Sequence, residues 1–118
     1  MVIALPWPPS VNKYYRVVRG RPIISREGRI YRGLVAMEML GRGKIEGRLK
    51  VVVEAHPPDG RRRDLDNLNK ALLDALQNGG AYEDDSQIDD LRVIRMPPAP
   101  KLGHVIVEIT QIKQQRGL

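Results

Sequence analysis

The sequence contains no cysteine. That excludes disulfide scaffolds and every thiolate-held zinc or iron–sulfur site, and it leaves the chain with no dependence on an oxidising compartment. Phenylalanine is absent as well, and the aromatics reduce to one Trp, Trp7, and four Tyr at 14, 15, 31 and 82. Val, Ile, Leu and Met must therefore close the core, and at 118 residues such a domain has a modest stability margin that burial in a dimer would raise. Long hydrophobic runs are missing too. The apolar opening, Met1 to Leu5, has no basic leader and stops at Pro6, far short of a signal core or of the ~20 residues of a membrane span. The expectation is a soluble, cytoplasmic protein with no membrane partner. Length, at about 150 residues per domain, allows one domain over residues 1–118.

Positive charge is what the chain has in excess. Twenty Lys and Arg, fourteen of them Arg, stand against fourteen Asp and Glu, a formal net charge of +6. Polyanionic partners suit that balance, nucleic acid or a lipid surface. The charge is uneven: from Lys13 to Arg63 there are fourteen cations and five anions, whereas residues 83–90 hold Glu83, Asp84, Asp85, Asp89 and Asp90 with no cation.

Residues 2–5 read as a strand, followed by a rigid Pro-rich loop, Pro6-Trp7-Pro8-Pro9, which could instead be a ligand for a peptide-binding module. Residues 14–18 and 21–25 form a hairpin turning at Arg19-Gly20, with a cationic polar face and Pro22 at an edge. Ser25 caps a helix over 26–41, marked by Ile30, Leu34, Met37 and Met39 or Leu40 and ending near Gly41 and Gly43. Residues 48–56 are a strand, and leucines 65, 68, 72 and 76 mark an amphipathic helix over 65–78 that stops at Gly79-Gly80. After the acidic loop, residues 91–96 and 105–112 alternate like strands and are expected to pair as antiparallel neighbours across a stiff turn at 97–100. The tail 113–118 is expected to fray. The fold class is α+β, a small mixed or antiparallel sheet with two main helices.

Five carboxylates in eight residues repel one another, which tends to raise some of their pKa values unless a cation neutralises them. A divalent metal is one such cation, and a solvated acidic turn is the bland alternative. The run Arg61-Arg62-Arg63-Asp64-Leu65-Asp66-Asn67 sets three cations before two carboxylates at the start of the leucine-striped helix. Residues two apart on a helix point about 200° away from each other, so Asp64 and Asp66 converge only if Asp64 lies outside it, as an N-cap. Asp66 then sits in the first turn, with Lys70 one turn further along the same face. The bland reading is a capped helix with an Asp66–Lys70 pair and a solvated Arg run. Hard oxygen donors without Cys or a His pair suit Mg²⁺, or Mn²⁺, and His56 and His104 read as structural. Such an ion beside a cationic groove equips a chain for phosphodiester hydrolysis, with Lys70 placed to neutralise the scissile phosphate or to orient the nucleophile.

Leu5-Pro-Trp-Pro-Pro-Ser10 with Asn12 and Tyr14-Tyr15-Arg16, then Arg61-Arg-Arg-Asp-Leu-Asp-Asn-Leu68 with Lys70-Ala71 and Asp74-Ala-Leu76, then Asp84-Asp85-Ser-Gln87, resemble the RusA family of Holliday-junction resolvases. The likeness runs to about Met96. It implies a homodimeric, Mg²⁺-dependent endonuclease of phage and prophage type that makes paired symmetric nicks in four-way DNA junctions during recombination and repair. Carried over by position, it implies that Asp64, Asp66 and Asp85 form the metal site, with Asp84 a weaker candidate, and that Lys70 is the lysine needed for activity. Related sequences often have Lys where this chain has Arg95, and the segment 41–47 is short for the family. A twofold substrate and one carboxylate cluster per chain agree with a C2 dimer. Arg61, Arg62 and Arg63, with Lys13, Arg16, Arg19 and Arg21, are the candidate DNA contacts, and Tyr14 or Tyr15 could stack on bases. Two rival readings use the same residues. One is a non-enzymatic DNA-binding protein of phage or prophage type, which the two aspartates at its recognition helix would hinder. The other is a small metal-dependent phosphatase, which has no use for the cationic segment.

Overall fold

In the computed structural model, which describes residues 1–99 and 101–113, the eight residues of strand β4 (Leu49–His56) alternate strictly between buried and half-buried. Leu49, Val51, Val53 and Ala55 enter the core; Lys50, Val52, Glu54 and His56 form the other face. Strand β4 is paired on both edges, in parallel with β5 (Ile88–Arg95) and antiparallel with β6 (His104–Gln111). Strand β1 (Val2–Pro6) takes the far edge of β6, so the four-stranded mixed sheet has the order β1-β6-β4-β5.

This order corrects one expectation: β5 and β6 are not partners but lie on opposite sides of β4. The reason lies in their residues. Strand β6 buries Val105, Val107 and Ile109 and suits an interior position, whereas β5 carries Asp89, Asp90, Arg92 and Arg95 and suits an edge, where charge discourages further pairing. Asp89 and Asp90 therefore belong to a strand rather than to the acidic loop.

The two main helices supply the rest of the core. Helix α2 (Arg26–Met39) is capped as expected, Ser25 Oγ accepting from the Gly28 amide at 3.0 Å. Its buried face is Gly28, Tyr31, Val35 and Met39, while Ile30, Leu34, Met37 and Leu40, which mark the helix in the sequence, turn outward. Gly28 permits a close approach: a Cβ there would stand 2.7 Å from Ile24 Cγ1 and closer still to the Tyr14 carbonyl oxygen. The leucine-striped segment is two pieces, a 3₁₀ turn over Leu65–Leu68 and helix α3 (Asn69–Asn78), with Leu68, Leu72 and Leu76 buried.

A one-turn helix, α1 (Val11–Tyr14), leads into a separate two-stranded hairpin, β2 (Tyr15–Val18) with β3 (Arg21–Ile24). Arg19 and Gly20 both have positive φ, 53° and 75°, the two-residue turn whose twist matches a hairpin. The stiff turn at 97–100 falls partly, and the tail 113–118 almost wholly, outside the described residues.

Candidate active site and nucleic-acid interface

The eight aspartates divide into two sets. Asp59 is paired with Arg61 and Arg63, Asp74 with Arg32, Asp89 with Arg48 and Asp90 with Arg92. Among the described residues the four aspartates in no ion pair are Asp64, Asp66, Asp84 and Asp85, the four singled out in the sequence. Asp84 is occupied structurally. It caps the 3₁₀ turn Asp85–Gln87, accepting from the Ser86 amide at 2.9 Å, while Gln87 Oε1 accepts from the Asp84 amide at 3.0 Å. That leaves Asp64, Asp66 and Asp85, all exposed, as carboxylates without an assigned internal role.

The acidic segment 83–90 is neutralised by the chain's own cations, contrary to the expectation of raised pKa values. Lys44 meets Glu83, Arg48 meets Asp89, and Arg92 meets Asp90. The Ser86 amide holds the Asp84 carboxyl below the usual carboxylate range, and the Arg48 guanidinium does the same for Asp89. Asp85 stands apart from this compensation, and its amide donates to Gln77 Oε1 at 2.9 Å.

Asp64 is the N-cap of the 3₁₀ turn in extended conformation, with Asp66 in the turn's first residues, as expected. Its carboxyl makes no cap hydrogen bond among the described residues, and no Asp66–Lys70 pair forms there. The structure does not gather the three open carboxylates within one chain. Asp64 and Asp66 precede α3, Asp85 lies against its last turn, and ten residues at 1.5 Å each put about 15 Å of helix between them. No group of three His, Asp or Glu among the described residues has the spacing of a cation's ligands.

Lys70 lies one turn after Asp66 and one turn before Asp74 on exposed helix surface. Asp74 is already occupied. Arg32 donates to its Oδ2 through Nη2 at 2.7 Å and Nε at 3.0 Å, and the Tyr14 hydroxyl donates to the same oxygen. Tyr14 is fully buried, so its ring and hydroxyl belong to the core, and only Tyr15, packed edge-on against it at 4.9 Å, keeps some exposure. Burial first, then the Asp74 hydrogen bond, pushes the Tyr14 hydroxyl well above the ordinary tyrosine value. This three-way contact ties α1, α2 and α3 together, and its members are too far apart in sequence for any spacing rule to reveal it.

The basic candidates differ in availability. Arg63 and Arg61 are drawn to Asp59, at 2.7 and 3.7 Å, whereas Arg62 and Lys13 are exposed and in no ion pair among the described residues. The Arg95 guanidinium, at the site of the expected lysine, donates to the Arg63 carbonyl and buttresses the Arg run from the sheet edge. Arg16 and Arg21 share one face of the hairpin, and Arg19 occupies its turn. A groove of about 970 Å³ runs between the Pro-rich loop, the outer face of α2 and the segment that carries Asp64. Its apolar wall was the least visible feature in the sequence; the signal was a helix with apolar residues on two faces. His56 and His104, which read as separate residues, are register partners on β4 and β6 with rings stacked at 4.5 Å.

The family model for endodeoxyribonuclease RusA matches residues 6–110. The chain is 49% identical over 113 residues to the crossover junction endodeoxyribonuclease of Enterobacteria phage 82, with 93% of each chain covered. Its identity is 48% over 114 residues to the protein of that name from Escherichia coli K12, and 47% over 114 residues to the one from Shigella sonnei, again over 93% of each chain.

Proposed function

The chain belongs to the endodeoxyribonuclease RusA family, and from that premise we propose that it resolves four-way DNA junctions, hydrolysing phosphodiester bonds by paired symmetric nicks as a metal-dependent homodimer. One observation supports the assignment of residues most directly: every other aspartate's carboxyl has a basic partner or makes a cap hydrogen bond, and those of Asp64, Asp66 and Asp85 do neither among the described residues. Exposed carboxylates without internal partners are the hard oxygen donors that Mg²⁺ or Mn²⁺ takes. A cation held there supplies a bound water of lowered pKa and positive charge for the leaving oxygen.

The other residues have definable roles. Arg62 and Lys13 bind backbone phosphates, and Arg63, braced by Asp59, holds the run in place. Arg16, Arg19 and Arg21 extend the cationic surface along the hairpin. Arg32 and Tyr14 occupy Asp74, which leaves the Lys70 ammonium for the scissile phosphate instead of an i,i+4 pair within α3. Because α3 separates Asp85 from Asp64 and Asp66, one chain does not present the set. A twofold pair, already required by two symmetric cuts, supplies a second copy of each element.

Asp66→Asn tests the reading. Nicking of a synthetic four-way junction in Mg²⁺ should be abolished while junction binding persists, and unchanged cleavage would refute it. Parallel digests of duplex and single-stranded DNA, with and without Mg²⁺, check the selectivity for branched substrate.

A further inference from the structure

The groove beside Asp64 has a wall that phosphate binding does not explain. Trp7, Ile30, Leu34 and Leu102 contribute apolar surface, and Ile30 and Leu34 remain 53% and 42% exposed although they lie on a well-formed helix. The rest of the lining includes charged groups, Lys13, Arg62, Arg63, Glu27 and Asp64. At about 970 Å³ the groove is at the top of the range for small-molecule sites, about 300–1,000 Å³.

An occupant that uses both kinds of lining carries an anionic group for Lys13 and Arg62 and a flat apolar face for Trp7, Ile30 and Leu34. A stacked duplex offers its phosphates but hides its base faces, so it leaves the apolar wall in water. A nucleotide unstacked from its neighbours exposes both parts, and a cationic track with aromatic and apolar side chains is how proteins hold single strands. In an open four-way junction the base pairs at the point of strand exchange lose a stacking neighbour, so a nucleotide is most readily unstacked there.

We propose that this groove binds one unstacked nucleotide of the DNA, its base against Trp7, Ile30 and Leu34 and its phosphate on Lys13 and Arg62. Asn67 and Glu27, also in the lining, supply an amide and an acceptor for the base edge, the means by which such a subsite discriminates among bases. Because Asp64 lines the same groove, the captured nucleotide lies next to the carboxylates, and its capture sets which phosphate is cut. This inference rests on DNA being the substrate, as proposed above.

Trp7 is the single tryptophan and lines the groove, so all tryptophan emission comes from this one position. The experiment titrates the intact protein in EDTA, where no cleavage is needed, with a single-stranded tetranucleotide, the same strand made abasic, and a duplex at equal phosphate concentration. The intact strand should quench Trp7 and bind about tenfold more tightly than the abasic strand, in line with the loss of one base stack. Ile30→Ser, a surface substitution that adds no charge, should remove most of that tenfold preference while the melting curve and duplex binding stay unchanged, and Leu34→Ser should repeat the result. Equal quenching by intact and abasic strands overturns the proposal. So does Trp7 emission that changes with protein concentration and not with DNA, the sign of a second protein copy in the groove. Junction cleavage without any Trp7 response removes the groove inference and leaves the nuclease; a Trp7 response without metal-dependent cleavage does the reverse.

Discussion

Two glycines on helix α2 should respond in opposite directions to the same substitution. Alanine in place of glycine in a helix interior is worth about 1 kcal/mol. At Gly33 an added Cβ meets nothing within 4 Å, so Gly33→Ala should realise that gain. With an unfolding entropy of about 2.1 cal/mol/K per residue, or about 0.25 kcal/mol/K for this chain, the melting temperature should rise about 4 °C. At Gly28 the same Cβ would be 2.7 Å from Ile24 Cγ1 and nearer still to the Tyr14 carbonyl oxygen. That carbonyl is pinned, since the Ser25 amide and Ser25 Oγ both donate to it at 2.9 Å, so relief requires moving α1 away from α2. Overpacking costs about 1–3 kcal/mol, and a rigid backbone neighbour places this case at the upper end. Net of the helix-propensity gain, Gly28→Ala should lose about 2 kcal/mol, a fall of about 8 °C. Circular-dichroism melts of the three proteins in one buffer provide the comparison. A Gly28→Ala protein as stable as the parent would refute the close packing of α2 on α1.

Tyr14→Phe removes one of the donors to Asp74 and should cost about 1–2 kcal/mol in urea titration, with Arg32 retaining the carboxylate; no loss would mean the contact is idle. Arg62→Ala should weaken junction binding on all sequences alike and lower the slope of log affinity against log salt by about 1, whereas an unchanged slope excludes a phosphate contact. Asp59 is held down to about 2, from 3.8, chiefly by the Arg63 guanidinium and then by the Arg61 amide. Its contribution to stability is therefore complete above the unfolded value and fades as pH falls through about 2. The stability difference between the parent and Asp59→Asn should be flat above pH 3.8, shrink as pH falls towards about 2 and be lost below it; a difference that is unchanged down to pH 2 contradicts the pairing.

What the sequence made legible was local. Ser25 as a cap, the Arg19-Gly20 turn and the stripe of Leu68, Leu72 and Leu76 each depend on residues within a few positions of one another, and each stands in the structure. Asp64 and Asp66 stood out for the same reason. The features that stayed hidden depend on distant residues. Strand β6 lies between β1 and β4 because buried valines favour an interior place, and adjacency in the chain does not encode that. The acidic segment looked uncompensated only because Lys44 and Arg48 arrive from some forty residues earlier. Helix α2 misled in its facing: Tyr31 and Val35 pack inward beside a glycine, and the more conspicuous Ile30 and Leu34 turn out to the groove.

Strand β6 also sets when the sheet can close. It is the last in chain order of the six strands among the described residues, yet it joins the first strand to the middle of the sheet, and the N-terminal ammonium donates to the Ile109 carbonyl at 2.9 Å. While the chain emerges from the ribosome, β1 and β4 have no bridge between them, and the core residues they contribute stay open until Val105, Val107 and Ile109 are delivered. A nascent chain arrested before Gly103 should therefore be cut by protease throughout, and one extended past Gln111 with its exit cleared should become resistant in a single step.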